Sequence, residues 1–124
     1  ISLSMKPYQD ARVEGEKLAK QYAELEKADQ VDFYNGLEGY YSVLGHNKKQ
    51  EAIAVLIEKN DHKIYVYQLD KGISQDKAAT ISREKVASDI DKVTFGRYQD
   101  KPIWEVKSGN QYYLVDFETG AVIQ

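Results

Sequence analysis

Apolar and polar positions change their period several times along this chain, and each change marks an expected element. From about Tyr8 to Ala28 the spacing is helical: Ala11, Leu18, Tyr22, Leu25 and Ala28 recur at intervals of three, four or seven and form one apolar stripe. The stripe is narrow, its surroundings are charged, and Glu16 and Lys20 form an i,i+4 pair in the favourable order, so this helix should lie on a surface with one face buried. Gly15 costs roughly 1 kcal/mol relative to Ala in a helix interior and points to close approach to a sheet or to a weak N-terminal end. Ile1 to Pro7 read as a lead-in.

The period then shortens to two. Val31 to Asn35 reads as a short strand, Gly36-Leu37-Glu38-Gly39 as a hairpin turn, and Tyr40 to Gly45 as the next strand. His46-Asn47-Lys48-Lys49 is the following turn. Glu51 to Glu58 contains two alanines and admits a helix, but Ile53, Val55 and Ile57 alternate and the run is short, which favours a strand. Asn60-Asp61 leads into Lys63 to Leu69, another alternating strand, ended by Asp70-Lys71-Gly72.

Ser74 is a good N-cap for a second, shorter helix from Gln75 to about Lys85 that carries Ala78, Ala79 and Ile81. Val86 to Asp89 either extends it or forms a loop. Ile90 to Tyr98 is a strand and Gln99-Asp100-Lys101 a turn, with Pro102 at a strand start, where a missing N–H is tolerated. The closing stretch, Lys101 to Gln124, reads as a three-strand meander. In it Trp104 and Val106 alternate against Ile103, Glu105 and Lys107, Ser108-Gly109-Asn110 turns, Tyr112 to Phe117 runs back, and Glu118-Thr119-Gly120 leads into Ala121-Val122-Ile123. The alternation places Trp104 in a core beneath the second helix and turns Glu105 to solvent.

The organisation repeats. A helix, a hairpin and two more strands make one unit, residues 1–71; a short helix and the closing strands make another, residues 72–124. The run V-D-F-Y-N-G-L-E-G-Y-Y-S-V-L-G resembles V-T-F-G-R-Y-Q-D-K-P-I-W-E-V-K in pattern at a period of about 60 residues, which fits a duplicated half-domain better than an array. The expected class is α+β, each unit a helix packed on an antiparallel sheet.

Composition narrows the function classes. The 124 residues are 42% hydrophobic and 30% charged, an ordinary globular balance. A net charge of −3 argues against a nucleic-acid partner. No cysteine is present, which excludes disulfides, thiolate zinc sites and thiol catalysis. No run is long and apolar enough for a membrane span, and no signal peptide is visible. The abrupt opening at Ile1-Ser2-Leu3-Ser4 is read as the trimmed start of a longer chain that carries an upstream anchor.

Candidate chemistry is sparse. His46 and His62 fall in predicted turns and lack the converging ligands a zinc site needs. Ser42 and Ser108 have no histidine partner in view. Glu105, Asp116 and Glu118 allow an acid pair for hydrolysis in principle; the plainer reading is that Asp116 and Glu118 open a turn and face water. D-F-E-T-G has oxygen donors but not the alternating positions of a calcium loop. No cofactor is expected.

The aromatic residues carry more. Ten tyrosines crowd the predicted strands, and adjacent pairs must point to opposite faces, so about half cannot be core. Tyr40, Tyr65, Tyr67, Tyr112 and Tyr113 are the candidates for a protein-binding surface.

W-E-V before a turn, then Y-Y-L-V-D-F and T-G-A-V-I, resembles the closing strands of PepSY-type domains. With G-I-S-Q-D-K-A-A from Gly72 to Ala79 and A-D-Q-V-D-F-Y-N-G-L-E-G-Y-Y-S-V-L-G from Ala28 to Gly45, the chain resembles the YpmB, or TseB-like, cell-wall elongation regulators of Gram-positive bacteria. The resemblance covers nearly the whole chain from the first helix to Ile123. It implies two PepSY- or cystatin-like units held outside the cell membrane by one N-terminal transmembrane helix, without catalytic residues, and associated with a penicillin-binding protein in lateral wall growth. A protease-inhibitor or propeptide-like module is the alternative that other PepSY domains imply.

Overall fold

A computed structural model describes residues 6–86 and 89–124, with side chains from Arg12 onward. The elements run α1 (Lys6–Tyr22), β1 (Leu25–Asn35), β2 (Gly39–Asn47), β3 (Ala52–Glu58), β4 (Ile64–Gln68), a 3-10 turn (Leu69–Lys71), α2 (Gln75–Arg83), β5 (Lys92–Tyr98), β6 (Lys101–Ser108) and β7 (Gln111–Asp116). The fold is α+β, with two antiparallel sheets ordered β1-β2-β3-β4 and β5-β6-β7. The chain divides into two compact units, one through Tyr67 and one from Gln68. In each, a helix packs on one sheet.

In the first unit α1 ends at Tyr22, well short of the expected Ala28. Glu24 takes a left-handed conformation (φ 56°) that turns the chain out of the helix. Leu25 and Ala28 therefore belong to β1, where Leu25 is buried. Tyr22, expected on the buried stripe, is exposed. The seam that meets the sheet is Gly15, Leu18, Ala19 and Ala23. Three of these four are small, which lets the helix axis sit low: a Cβ on Gly15 would lie 3.1 Å from the Tyr41 Cβ. Close approach is thus the reason for Gly15. The core beneath is Val31, Val43, Ile53, Val55 and Ile57, with Tyr41 and Ile64 packed against it.

β1 pairs with β2 through register shifts between Leu25 and Lys27 and between Ala28 and Gln30. The irregularity drives the Lys27 carbonyl toward β2. A Cβ on Gly45 would meet that oxygen at 2.0 Å, so only glycine fits there. β2 also runs longer than expected and takes in His46, which lies opposite Ala52 rather than in a turn. The turn that follows is held by Asn47, whose Oδ1 accepts from the Lys49 and Glu51 amides at 2.9 and 3.0 Å. β3 is a strand, and Ile53 to Ile57 are buried without interruption. A central strand covered on both faces loses its alternation, which is why its pattern admits a helix.

In the second unit the Ser74 hydroxyl caps α2, accepting from the Lys77 amide at 3.0 Å. The helix stops at Arg83, two residues before expected, and of the stretch Val86 to Asp89 the residues Ala87 and Ser88 lie outside those described, as do Ile1 to Met5 of the lead-in. Trp104 is buried as expected. Its ring meets Phe95 edge-on at 4.9 Å and Phe117 at 6.5 Å, and its Nε1–H donates to the Ile73 carbonyl at 2.9 Å. Ile103 is buried too, because β6 is the middle strand. The closing segment falls short of a strand. Only Val122 bridges to Val115, although Asp116, Leu114 and Ile123 amides join tail and β7 through three further backbone bonds.

Candidate interaction surface

The five tyrosines singled out by the alternation do not share an environment. Tyr40 is 2% exposed. Its ring packs against Tyr34 and Tyr65, each at 6.3 Å, and its hydroxyl donates to Glu38 at 3.0 Å. This corrects its assignment as a contact residue: it is interior. The period of two says that Tyr40 and Tyr41 face opposite ways; it does not say which face is covered. Tyr65 and Tyr67 are half-buried on β4. Tyr113 is half-buried with its hydroxyl donating to the Lys85 carbonyl at 3.1 Å, while its neighbour Tyr112 is 54% exposed.

Apolar exposure is highest where the sequence pattern drew no attention. Leu37, at the tip of the β1–β2 hairpin, is 76% exposed, and Phe33 on β1 is 39% exposed. The β3–β4 loop lies beside this hairpin, since the Lys59 amide donates to the Gly39 carbonyl at 2.9 Å. The Lys59 ammonium sits 5.5 Å from the centre of the Phe33 ring. Glu58, at the end of β3, has its carboxyl pushed above the usual range by partial burial and then by the carboxylates of Glu38 and Asp61, with Lys63 opposing. One end of this sheet therefore presents an apolar tip beside crowded acids. The available signal was Leu37 itself, an apolar residue in a four-residue turn otherwise built of glycine and glutamate.

The acidic candidates do not assemble a catalytic pair. Asp116, expected to face water, is buried. Its Oδ1 accepts from the amides of Glu118 and Thr119 at 2.8 and 3.0 Å, so the carboxylate closes the turn that reverses the chain. Glu118 is exposed. Glu105, expected in solvent, is half-buried, and burial raises its carboxyl above the usual range against the pull of Lys92. His46 Nδ1 pairs with Asp29 at 2.9 Å, and His62 is exposed with a left-handed backbone (φ 57°). Among the described residues no three acids or histidines converge as metal ligands, and no helix is long and apolar enough to cross a membrane.

Comparison with known proteins places these features in a family context. A sequence model described as "Cell wall elongation regulator TseB-like domain" matches residues 14–58, from α1 to the end of β3. The chain is 37% identical over 114 residues to the "Probable cell wall elongation regulator TseB" of Bacillus subtilis (strain 168), covering 86% of this chain and 70% of that protein. Its structure is similar to that of the YpmB protein from Bacillus subtilis, with a TM-score of 0.75, 34% identity, and coverage of 90% of this chain and 93% of that one.

Proposed function

Because the chain belongs to the TseB-like family of cell wall elongation regulators, we propose that it is a non-enzymatic module that acts outside the cell membrane and regulates peptidoglycan elongation by contacting a membrane-anchored penicillin-binding protein. The observation that carries this reading is the 37% identity to a named elongation regulator, spread over most of both chains. The side chains support it. The candidate carboxylate Asp116 holds a turn, and the largest exposed apolar groups stand at hairpin ends, where a partner can reach them. A single N-terminal helix upstream of these residues would hold the domain at the membrane surface.

The contact is assigned to the exposed apolar groups, Leu37 with Phe33 in the first unit and Tyr112 with Tyr113 in the second. Tyr65 and Tyr67 remain candidates on β4. The reading is tested by capture from detergent-solubilised membranes of the native cell, with penicillin-binding proteins labelled by a fluorescent β-lactam. Enrichment of one labelled synthase by the wild-type protein, and its loss with Leu37→Asp, is the expected result. Capture of no labelled synthase, together with normal cell shape on deletion of the gene, would refute the proposal.

A further inference from the structure

Four strands border the two sheets, and three of them are protected against pairing. β1 carries Glu26, Lys27, Asp29 and Asp32 and is broken by two register shifts. β5 has the Gln75 side chain bonded to its Val93 carbonyl at 2.8 Å, and β7 is bonded along its open side by the closing residues of the chain. β4 has no such device. Its sequence is I-Y-V-Y-Q, without charge, proline or glycine. An apolar border strand of this kind is a template for another strand.

The direction of its backbone groups follows from one bond. The Glu58 amide donates to the Lys63 carbonyl at 2.8 Å, so that carbonyl points at β3. Alternation then turns the N–H and C=O of Ile64, Val66 and Gln68 away from β3. Among the described residues, no backbone group outside the sheet bonds to these three. Val66 is 49% exposed and shares its face with Ile64, which packs on the α1 side, whereas Tyr65 meets Tyr40 on the other face.

We propose that β4 pairs antiparallel with β4 of a second copy of this chain, with the two-fold axis at Val66. The strand is self-complementary in that register. Val66 faces Val66 of the second copy, Ile64 faces Gln68, and Tyr65 faces Tyr67, giving two cross-strand tyrosine pairs on one face. All the outward-pointing residues then face one another, as an antiparallel ladder requires. The flanking charges agree: Asp61 falls opposite Lys71 and His62 opposite Asp70. A slip of the pairing sum by two toward the C-terminus instead sets Lys63 against Lys71, and a slip the other way sets Lys59 against Lys71, so like charges oppose both neighbouring registers.

The pairing is independent of synthase contact and is tested on the purified protein alone. The chain has no cysteine, so V66C introduces the only thiol. Residues facing each other on the axis of a hydrogen-bonded antiparallel pair lie about 5.5 Å apart at Cα, within disulfide range. Under mild oxidation V66C should give a covalent dimer well ahead of L37C, a control thiol at a more exposed position. In sedimentation equilibrium the wild-type protein should show a concentration-dependent monomer–dimer equilibrium. V66P, which removes an N–H that the chain's own sheet does not use, should stay monomeric at unchanged Tm. The proposal is overturned by a wild-type protein that remains monomeric while V66C cross-links no faster than L37C. It is equally overturned if the wild-type protein is monomeric and V66P loses capture of a different protein, because the edge then serves a foreign strand.

Discussion

Trp104 joins the second unit at two points, through its ring to Phe95 and Phe117 and through its nitrogen to the Ile73 carbonyl at the entrance to α2. Trp104→Ala should therefore destabilise by about 3–5 kcal/mol, and Trp104→Phe by less, since it keeps an aromatic ring while leaving the Ile73 carbonyl unpaired. Thermal unfolding checks this; a shift of a degree or so for the alanine variant would contradict the core role. Glu105 behaves in the opposite sense. Its carboxyl is raised above the usual value of 4.5 by burial, so between that value and its folded-state pKa the folded chain holds more proton than the unfolded one. Its contribution to stability falls as pH rises through that window. Glu105→Gln should raise Tm at neutral pH and flatten the profile on the acid side. An unchanged pH profile would show that Glu105 is solvated in the folded state. The same residue shows where period-two reasoning stops: it assigns Glu105 to the face opposite Trp104, but the middle strand of a sheet has no face that must be wet.

At the level of elements, most strands were legible because Ile53, Val55 and Ile57, or Trp104 and Val106, alternate between turn residues. The boundary between α1 and β1 was not, because Leu25 and Ala28 satisfy a helical spacing as well as a strand's. Only the left-handed Glu24 separates the two, and a glutamate gives no sequence signal for that conformation. Several turns share this trait. Gln50 sits at φ 66°, and Gln99 and Asp100 at 50° and 66°, where glycine or asparagine is usual. Gln50→Gly should stabilise the β2–β3 hairpin by about 0.5–1 kcal/mol, the left-handed strain removed exceeding the added chain entropy. Gly45→Ala should do the reverse, by about 1–3 kcal/mol, because the new methyl meets the Lys27 carbonyl. Denaturant midpoints of the two variants decide both; a destabilised Gln50→Gly would mean that the Gln50 side chain contributes more than its backbone costs.

For the molecule as a whole, the family and the α+β plan were legible from motifs spread along the chain, and the contact surface was not. Tyrosine content pointed to Tyr40, which the fold buries, and away from Leu37, which a short turn lifts into solvent. Exposure at a hairpin tip depends on what the neighbouring loop leaves open, here Lys59 beside Gly39, and no local pattern encodes it. The account stands on recognition rather than catalysis, so its central claim is a saturable contact with a wall synthase that depends on this tip. The most direct measurement is the equilibrium binding of the purified domain to the extracellular portion of the captured penicillin-binding protein, by surface-immobilised titration, for the wild-type protein and Leu37→Asp. The account predicts saturable binding that weakens at least about tenfold in Leu37→Asp, a change of roughly 1.4 kcal/mol, while Tm is unchanged because the side chain is solvent-facing. Binding that is absent in the wild-type protein, or equal in the two, would contradict it.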